Sequence, residues 1–459
     1  MGTSFFTIYR AMPVSSYMQL IFDRFKEYRK VSTDTRTISD GAIFFALKGD
    51  RFNGNEYAMG AIESGASYAV VDDKEVAKLS DKMILVPDVL LALQELANMY
   101  ATSLPIPRVG ITGSNGKTTV KELITAVLSK RYKVHATAGN YNNHIGLPLT
   151  LLSCPRDAEI MVLEMGANKR GDIKELVEIG EPTHGLVTVI GKAHLEGMGG
   201  LEGVKKTKGE MYDFLAEHDG IAFVANNLPF LMDLSSEVKE RIVYGEIDEN
   251  LPVPPILTGC VDNTHLYAEG DIILDDGEKI HIRSHLFGTV HFNNIMTALA
   301  VGKWFGVEIT DMVDAIEHYQ PGDRRIEWIE KGAHRILMDA YNANPDSTSA
   351  AIDAFQKLDA SNKILVLGEM LELGDYAEEE HRKILEQVAD SNWGAVLLMG
   401  RSYKEVLPEQ LPASWHYFED FDDLARTLGK ITVKPSTILV KGSRGNALER
   451  VTDYVYVPS

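Results

Sequence analysis

Thr112-Gly113-Ser114-Asn115-Gly116-Lys117-Thr118 (TGSNGKT) stands between the apolar run RVGIT (108–112) and the helical pattern KTTVKELITAVLSKR (117–131). A buried strand that turns through glycines into a helix points successive backbone N–H groups, and the positive end of the helix, at one place. That place suits a chain of phosphates. Lys117 can then reach the outer phosphates and the Thr118 hydroxyl can ligate Mg²⁺, with Thr119 next in the first helical turn. The alternative is a glycine-rich strand–helix turn that holds no ligand; the matching strand and helix on its two sides argue for the phosphate. The full GxxxxGK[ST] spacing is not met, because Ile111 stands where its first glycine belongs.

Outward from this loop, short apolar runs alternate with helical patterns, the mark of α/β architecture. On the N-terminal side, a loose leader (1–15) precedes an amphipathic helix from about Ser16. AIFFAL (42–47), YAVVD (68–72) and MILV (83–86) read as strands, followed by a helix over 89–103 and a Pro-containing linker at 104–108. Beyond the loop come strands at 159–166, 184–191 and 220–226, and a hairpin over 271–288 with Asp276-Gly277 at its turn. Helices near 292–305 and 310–319 lead to a break at PGD (321–323). Then RILMDA, KILVLGE, AVLLMG and TILVKGS alternate with helices from about Asp346, from about Ala377 and near 420–429. That last pattern predicts a doubly wound parallel sheet, which binds ligands at the C-terminal ends of its strands. Three domains are expected: 1–103, a P-loop ATPase-like 104–320, and a Rossmann-like 321–459.

The bulk properties agree. At roughly 150 residues per domain, 459 residues allow two to four domains. A net charge of −20 argues against nucleic acid, which leaves a basic footprint. Two cysteines, Cys154 and Cys260, form no metal-like or disulfide framework. No apolar run approaches the roughly 20 residues that span a bilayer. A cytoplasmic, monomeric enzyme without a membrane partner is the expectation.

The short TGSNGKT form resembles the ATP loop of the Mur ligase and folylpolyglutamate synthase superfamily. Further segments resemble one branch of the Mur ligases. They are STDTR (32–36), FFALKGDRFNGNEYA (44–58), TAGNYNNHIGLPLTLL (137–152), VLEMGANKRGDI (162–173), GKAHLEGMGGLEGVKKTKGE (191–210), DAYNANPDS (339–347), VLGEMLELGD (366–375) and VKGSRGNALE (440–449). They run in order from about residue 30 to the end. The DAYNANP and LGEMLELG pair sets this branch apart from sister ligases that add single amino acids. The resemblance implies an N-terminal domain for the UDP end of a cell-wall precursor, a central ATPase, and a C-terminal domain completing the ATP and amine sites. It implies ATP and Mg²⁺, with UDP-N-acetylmuramoyl-tripeptide and D-alanyl-D-alanine as substrates joined through an acyl phosphate.

The same resemblance distributes roles. Glu164 and His194 match Mg²⁺ ligands; Glu164 is a hard-oxygen donor in its own right, whereas a histidine alone more often caps or packs. Lys208 matches a lysine that the superfamily carbamylates, the alternative being that Lys205, Lys206 and Lys208 form a solvated helix face. Asn294 matches an adenine contact, while His291 stands where many relatives have Asn. Arg325, or Arg324 beside it, matches an arginine that reaches ATP. Asp339 is expected at the ribose, and Tyr341, Asn342 and Asn344 at the reacting centre, with an Asx cap as the alternative for Asn344-Pro345. Asn142, Asn143 and His144 are expected at the precursor or γ-phosphate. Asp34, Thr35, Arg36, Lys48, Phe52 and Asn53 are expected to form the UDP pocket, and Lys441, Ser443 and Arg444 to meet the dipeptide.

Overall fold

The computed structural model describes residues 16–246, 254–274, 277–322 and 326–457. Within them the chain folds around three main sheets. The leader, Asp276 of the expected turn, and both Arg324 and Arg325 lie outside the described residues.

The first sheet is parallel, in the order β1 (Val31–Ser32), β2 (Ile43–Phe45), β5 (Tyr68–Val71), β6 (Met83–Leu85). A two-stranded hairpin, β3 (Lys48–Gly49) and β4 (Phe52–Asn53), stands beside it. The expected helix at Ser16 spans Ser16–Tyr28 and buries Met18, Ile21 and Phe25, one helical stripe. Phe25 packs edge-on against Tyr100, 5.1 Å between ring centres. Tyr100 belongs to the helix Val89–Thr102, which starts where the Asp88 carboxylate accepts from the Leu91 N–H at 2.8 Å. That helix docks the first unit on the second: Tyr100 donates to Cys154 O (2.6 Å), Gln94 to His144 O (3.1 Å) and Asn98 to Ile179 O (3.1 Å).

The second sheet has the order β15-β14-β13-β12-β11-β10-β7-β9-β8. Its strands are β7 (Arg108–Thr112), β8 (Val134–Ala136), β9 (Ile160–Glu164), β10 (His184–Val187), β11 (Ile221–Ala225), β12 (Glu240–Gly245), β13 (Leu257–Val261), β14 (Gly270–Ile273) and β15 (Lys279–Ile282). β8 to β13 run parallel, and the antiparallel β14–β15 pair is the expected hairpin. β7 and β9 are buried along their whole length, because helices cover both faces. β7 lies between β9 and β10, so three strand ends open onto one crevice. Register pairs Ile111 with Glu164 and Thr112 with Val187.

The third sheet has the order β16-β17-β21-β18-β19-β20. It comprises β16 (Glu327–Lys331), β17 (His334–Asp339), β18 (Lys363–Gly368), β19 (Ala395–Met399), β20 (Trp415–Phe418) and β21 (Thr437–Lys441). All neighbours are parallel except β16, an antiparallel edge strand that the apolar runs did not announce. Among the described residues no helix is long and apolar enough to cross a membrane, and both cysteines are free thiols.

Phe25 is fully buried under the first helix, so Phe25→Ala is expected to cost about 3–5 kcal/mol. Denaturant unfolding followed by fluorescence should show the loss in the earliest transition, and a shift below about 1 kcal/mol would mean that the helix is dispensable packing.

Candidate functional site

A cavity of about 1050 Å³ lies between the second and third sheets, lined by the TGSNGKT loop, both neighbouring strand ends and the ends of β17 and β21. Gly113 lies at φ +144°, and a Cβ there would stand 2.0 Å from the Thr188 hydroxyl. Gly116 caps the helix Lys117–Leu128 in the left-handed region at φ +81°. Both positions require glycine. Ser114 exchanges hydrogen bonds with the backbone of Gly191, each at 3.0 Å, and the Thr188 hydroxyl donates to Asn115 O at 2.5 Å. The loop is therefore shaped before any ligand arrives. Lys117 Nζ donates to Gly113 O at 2.8 Å and reaches Ser114 O at 3.3 Å. Its ammonium is folded over the loop where a phosphate would lie.

The Thr118 hydroxyl donates to Glu164 Oε2 at 2.8 Å, and Asn142 Nδ2 donates to Glu164 Oε1 at 2.8 Å. Glu164 is buried at 1% exposure with both oxygens committed. A hydroxyl and a carboxylate converge there beside the phosphate loop, a donor set that fits a hard cation completed by phosphate oxygens and water. Among the described residues no group of three or more His, Cys, Asp or Glu side chains forms a metal cage. His194 lines the same cavity with its backbone at φ +54°; its buried Nδ1 lies within ion-pair reach of the Glu372 carboxylate but makes no well-directed hydrogen bond.

Lys208 is not on a solvated face. In the helix Leu201–Glu217, Lys206 is exposed and Lys208, two residues on, is 1% exposed. Steps of about 100° put these two on opposite sides. Burial, and then the nearby Lys117 cation, push the Lys208 amine well below its ordinary pKa. Among the described residues no carboxylate forms an ion pair with it.

Asp339 and Lys441 end the neighbouring strands β17 and β21 in register. Their ion pair is 2.8 Å, and Lys441 also donates to Asn342 O at 2.7 Å. Lys441 is thus a buried strut of the cavity wall, its charge already matched. Tyr341 and Asn342 line the cavity. Asn344 realises the cap: its side chain accepts from Ser347 N (2.9 Å) at the start of the helix Pro345–Gln356. The same amide exchanges hydrogen bonds with Asn115 at 2.6 and 3.2 Å, so it also faces the phosphate loop. Ser443 stands away from the cavity lining, with its hydroxyl on Glu369 O at 3.2 Å.

Asn294 lies over Gly116 and shares a 3.0 Å hydrogen bond with His291 Nδ1. Burial pushes His291 down to about 4, so it is a neutral acceptor for the Asn294 amide. Leu228, Pro229, Val290 and Ala354 make this end of the cavity apolar, suited to a flat ring. At the other end stand Asn143, which caps its own loop through Ile145 N and Gly146 N, and His144. The residue-by-residue reading passed over Asn168, Lys169, Asp172 and Glu175 in that region. All four lie within or just beyond GANKRGDI, so the segment was visible although their places were not.

The expected UDP residues belong to the first unit and do not line this cavity. Asp34 pairs with Arg36 (2.6 Å), whose guanidinium holds its carboxyl down to about 2. Lys48 pairs with Asp72 at 2.8 Å, Asn53 caps the turn at Asn55, and Thr35 and Phe52 are exposed or nearly so. The pairs Asp34–Arg36 and Lys48–Asp72 each hold their charges locally.

Models of three Mur ligase segments match the chain: the Mur ligase family catalytic domain over residues 27–101, the Mur ligase middle domain over 111–302, and the Mur ligase glutamate ligase domain over 324–444. The UDP-N-acetylmuramoyl-tripeptide–D-alanyl-D-alanine ligase of Bacillus subtilis is 35% identical over 92% of both chains. That of Escherichia coli is 31% identical, also over 92% of both. Among solved structures, MurF from Acinetobacter baumannii superposes with a TM-score of 0.83 at 25% identity, over 93% of each chain. MurF ligase from Thermotoga maritima in complex with ADP superposes with a TM-score of 0.80 at 25% identity, over 96% of this chain and 98% of that one.

Because a Cβ at Gly113 would strike Thr188, Gly113→Ala is expected to weaken binding of a non-hydrolysable ATP analogue at least about tenfold without unfolding the chain. Calorimetric titration checks this; unchanged affinity would remove the loop from the nucleotide site.

Proposed function

The chain belongs to the Mur ligase family, and on that premise we propose that it joins D-alanyl-D-alanine to the terminal carboxylate of UDP-N-acetylmuramoyl-tripeptide, converting ATP to ADP and phosphate. The observation that carries this reading is a preformed phosphate loop abutting Glu164 across a cavity that two domains share. The named activity of relatives that match over nearly the whole chain supports the substrates. The domain boundaries follow the Pro-containing segments at 104–108 and 321–323, and peptidoglycan synthesis in the cytoplasm is the setting.

The precursor carboxylate attacks the γ-phosphorus, ADP leaves, and an acyl phosphate forms. The D-alanyl-D-alanine amine then attacks the acyl carbon, phosphate departs, and the amine gives up a proton. Anionic carboxylate and triphosphate repel, so fixed positive charge must stand where they meet. The Ser114 N–H is held by Val189 O, so backbone N–H groups from Asn115 to Thr118 hold the phosphates, and Lys117 exchanges its carbonyl partners for phosphate oxygens. Thr118, Glu164 and His194 are the residues that would hold Mg²⁺, which supplies charge between the two anions. Asn142 fixes the orientation of Glu164. The apolar end beside Asn294 takes the adenine, and Asp339 faces the ribose. Asn143, His144, Tyr341 and Asn342 border the space for the two peptides, and the first domain receives the UDP end through Asp34, Thr35, Arg36, Lys48, Phe52 and Asn53.

Lys208 is proposed to carry a carbamate. A depressed pKa leaves the free amine, whose lone pair bonds to the carbon of CO₂ while a proton departs, giving a carboxylate beside Lys117. The anion would replace a buried neutral amine with a negative charge facing the Lys117 ammonium, and it would screen or ligate Mg²⁺ when the metal is bound.

In a phosphate-release assay, D-alanyl-D-alanine with a UDP-linked tripeptide is expected to support turnover, and free Lys, meso-diaminopimelate or Glu is not. Release with a single amino acid would favour a sister ligase. Lys117→Ala is expected to lower kcat by at least about a hundredfold with the fold intact. Retention of about a tenth of wild-type kcat would remove Lys117 from phosphoryl transfer.

Lys208→Ala is likewise expected to be inactive and to regain part of its rate in formate or acetate, while Lys208→Arg stays inactive. An active Lys208→Arg variant, or no carboxylate rescue of Lys208→Ala, would leave Lys208 as a buried structural residue.

A further inference from the structure

The loop Gly191–Gly200, which carries His194, belongs to the central unit but is gripped by the C-terminal one. A Cβ on Gly191 would stand 2.2 Å from Asp346 Oδ2, and that oxygen accepts from Lys192 N at 2.7 Å. Lys192 Nζ reaches the buried Glu380 carboxylate at 2.7 and 2.9 Å. Glu196 N donates to Glu372 O at 3.2 Å, and the Glu372 carboxylate takes the Nδ1 side of His194.

Glu372 is itself held firmly. The neighbouring Met370 N–H donates to Nε2 of His381 at 2.9 Å, and His381 Nδ1 meets Ala377 O at 2.7 Å inside the third unit. Leu373 beside Glu372 is buried. His194 and Glu372 both have left-handed backbones, at φ +54° and φ +63°. Such conformations cost energy in residues with side chains and persist where surrounding contacts fix them. Two of them meeting across one interface mark a constrained pair.

We propose that Glu372 is a positioning residue for the cation site. Its carboxylate stands against Nδ1 of His194, where it favours the proton on that nitrogen and a lone pair on Nε2. The contact is an ion-pair approach and not a well-directed hydrogen bond, and it is there only when the C-terminal unit is docked. This inference rests on the assignment of His194 as a cation ligand. Carboxylates that orient ligating histidines in this way typically change metal affinity or activity by about 10–100-fold when removed. Completion of the cation site is thereby coupled to domain docking, so the central unit alone does not assemble it.

The test uses the full chain, a non-hydrolysable ATP analogue and Mn²⁺, with free Mn²⁺ read by electron paramagnetic resonance. Glu372→Ala is expected to weaken Mn²⁺ binding about tenfold, and Glu372→Gln, which keeps an acceptor but not the charge, by less. The Mg²⁺ concentration for half-maximal turnover should rise in parallel, with kcat largely recovered at saturating Mg²⁺. In a His194→Ala background, Glu372→Ala should have no further effect on Mn²⁺ affinity, because it acts through the ring. The Glu372 side chain is 56% exposed, so its loss spares the core. Wild-type Mn²⁺ affinity in Glu372→Ala, alongside a weakened His194→Ala, would overturn the proposal. So would penalties that simply add in the double variant. Unchanged affinity in His194→Ala would instead overturn the underlying assignment of the cation ligand.

Discussion

The 2.8 Å hydrogen bond from Thr118 to Glu164 joins the first turn of the phosphate-loop helix to the end of the adjacent strand β9. A carboxylate at 1% exposure is tolerable only when its charge is answered, and here each oxygen accepts one hydrogen bond from a neutral donor. Neutral donors leave the negative charge itself uncompensated. The site is therefore electrostatically prepared for a cation, and the rest of the local architecture keeps it so. Thr137 holds the backbone of Glu164 at 3.0 Å, Asn142 holds its second oxygen, and Gly113 and Gly116 let the loop pass close to Thr188 and Asn294.

Three strand ends supply the central unit's share of this crevice, and a second sheet supplies the other share. The amides of Asn115 and Asn344 meet across the boundary and satisfy each other in both directions. Such a contact is made of short, neutral, exchangeable hydrogen bonds, each contributing about 1 kcal/mol. It closes the cavity without charge and can open without stranding one. The Lys192–Glu380 pair, with its carboxylate only 5% exposed, is of a different kind, since parting it would leave an unmatched buried anion.

Much of this was written plainly in the sequence. Continuous apolar runs such as RVGIT and KILVLG give strands covered on both faces, and they became β7 and β18. The run HGLVTVIG was less obedient. Its strand stops at Val187 because Thr188 turns its hydroxyl to the loop carbonyl of Asn115. The edge strand β16, EWIEK, mixes charged and apolar residues and is only partly buried, so it offers no continuous apolar signal. Among site residues, Lys117, Thr118 and Glu164 could be placed from their motif and strand ends. The partnerships of Lys441 with Asp339, and of His194 with Glu372, could not. Each depends on strand order or on contact between units far apart in the chain, which local periodicity does not encode.

β21 is the last strand of its sheet in chain order, yet it lies inside the sheet between β17 and β18. A ribosome releases both β17 (His334–Asp339) and β18 (Lys363–Gly368) well before Thr437–Lys441, the strand that joins them, exists. Until then each of the two has an open hydrogen-bonding edge, and Asp339 has no cation beside it. Units made earlier can consolidate during synthesis; this one is delayed by its own strand order. Until β21 emerges, the wall of the cavity that Asp339 and Lys441 form together therefore has only one of its two members.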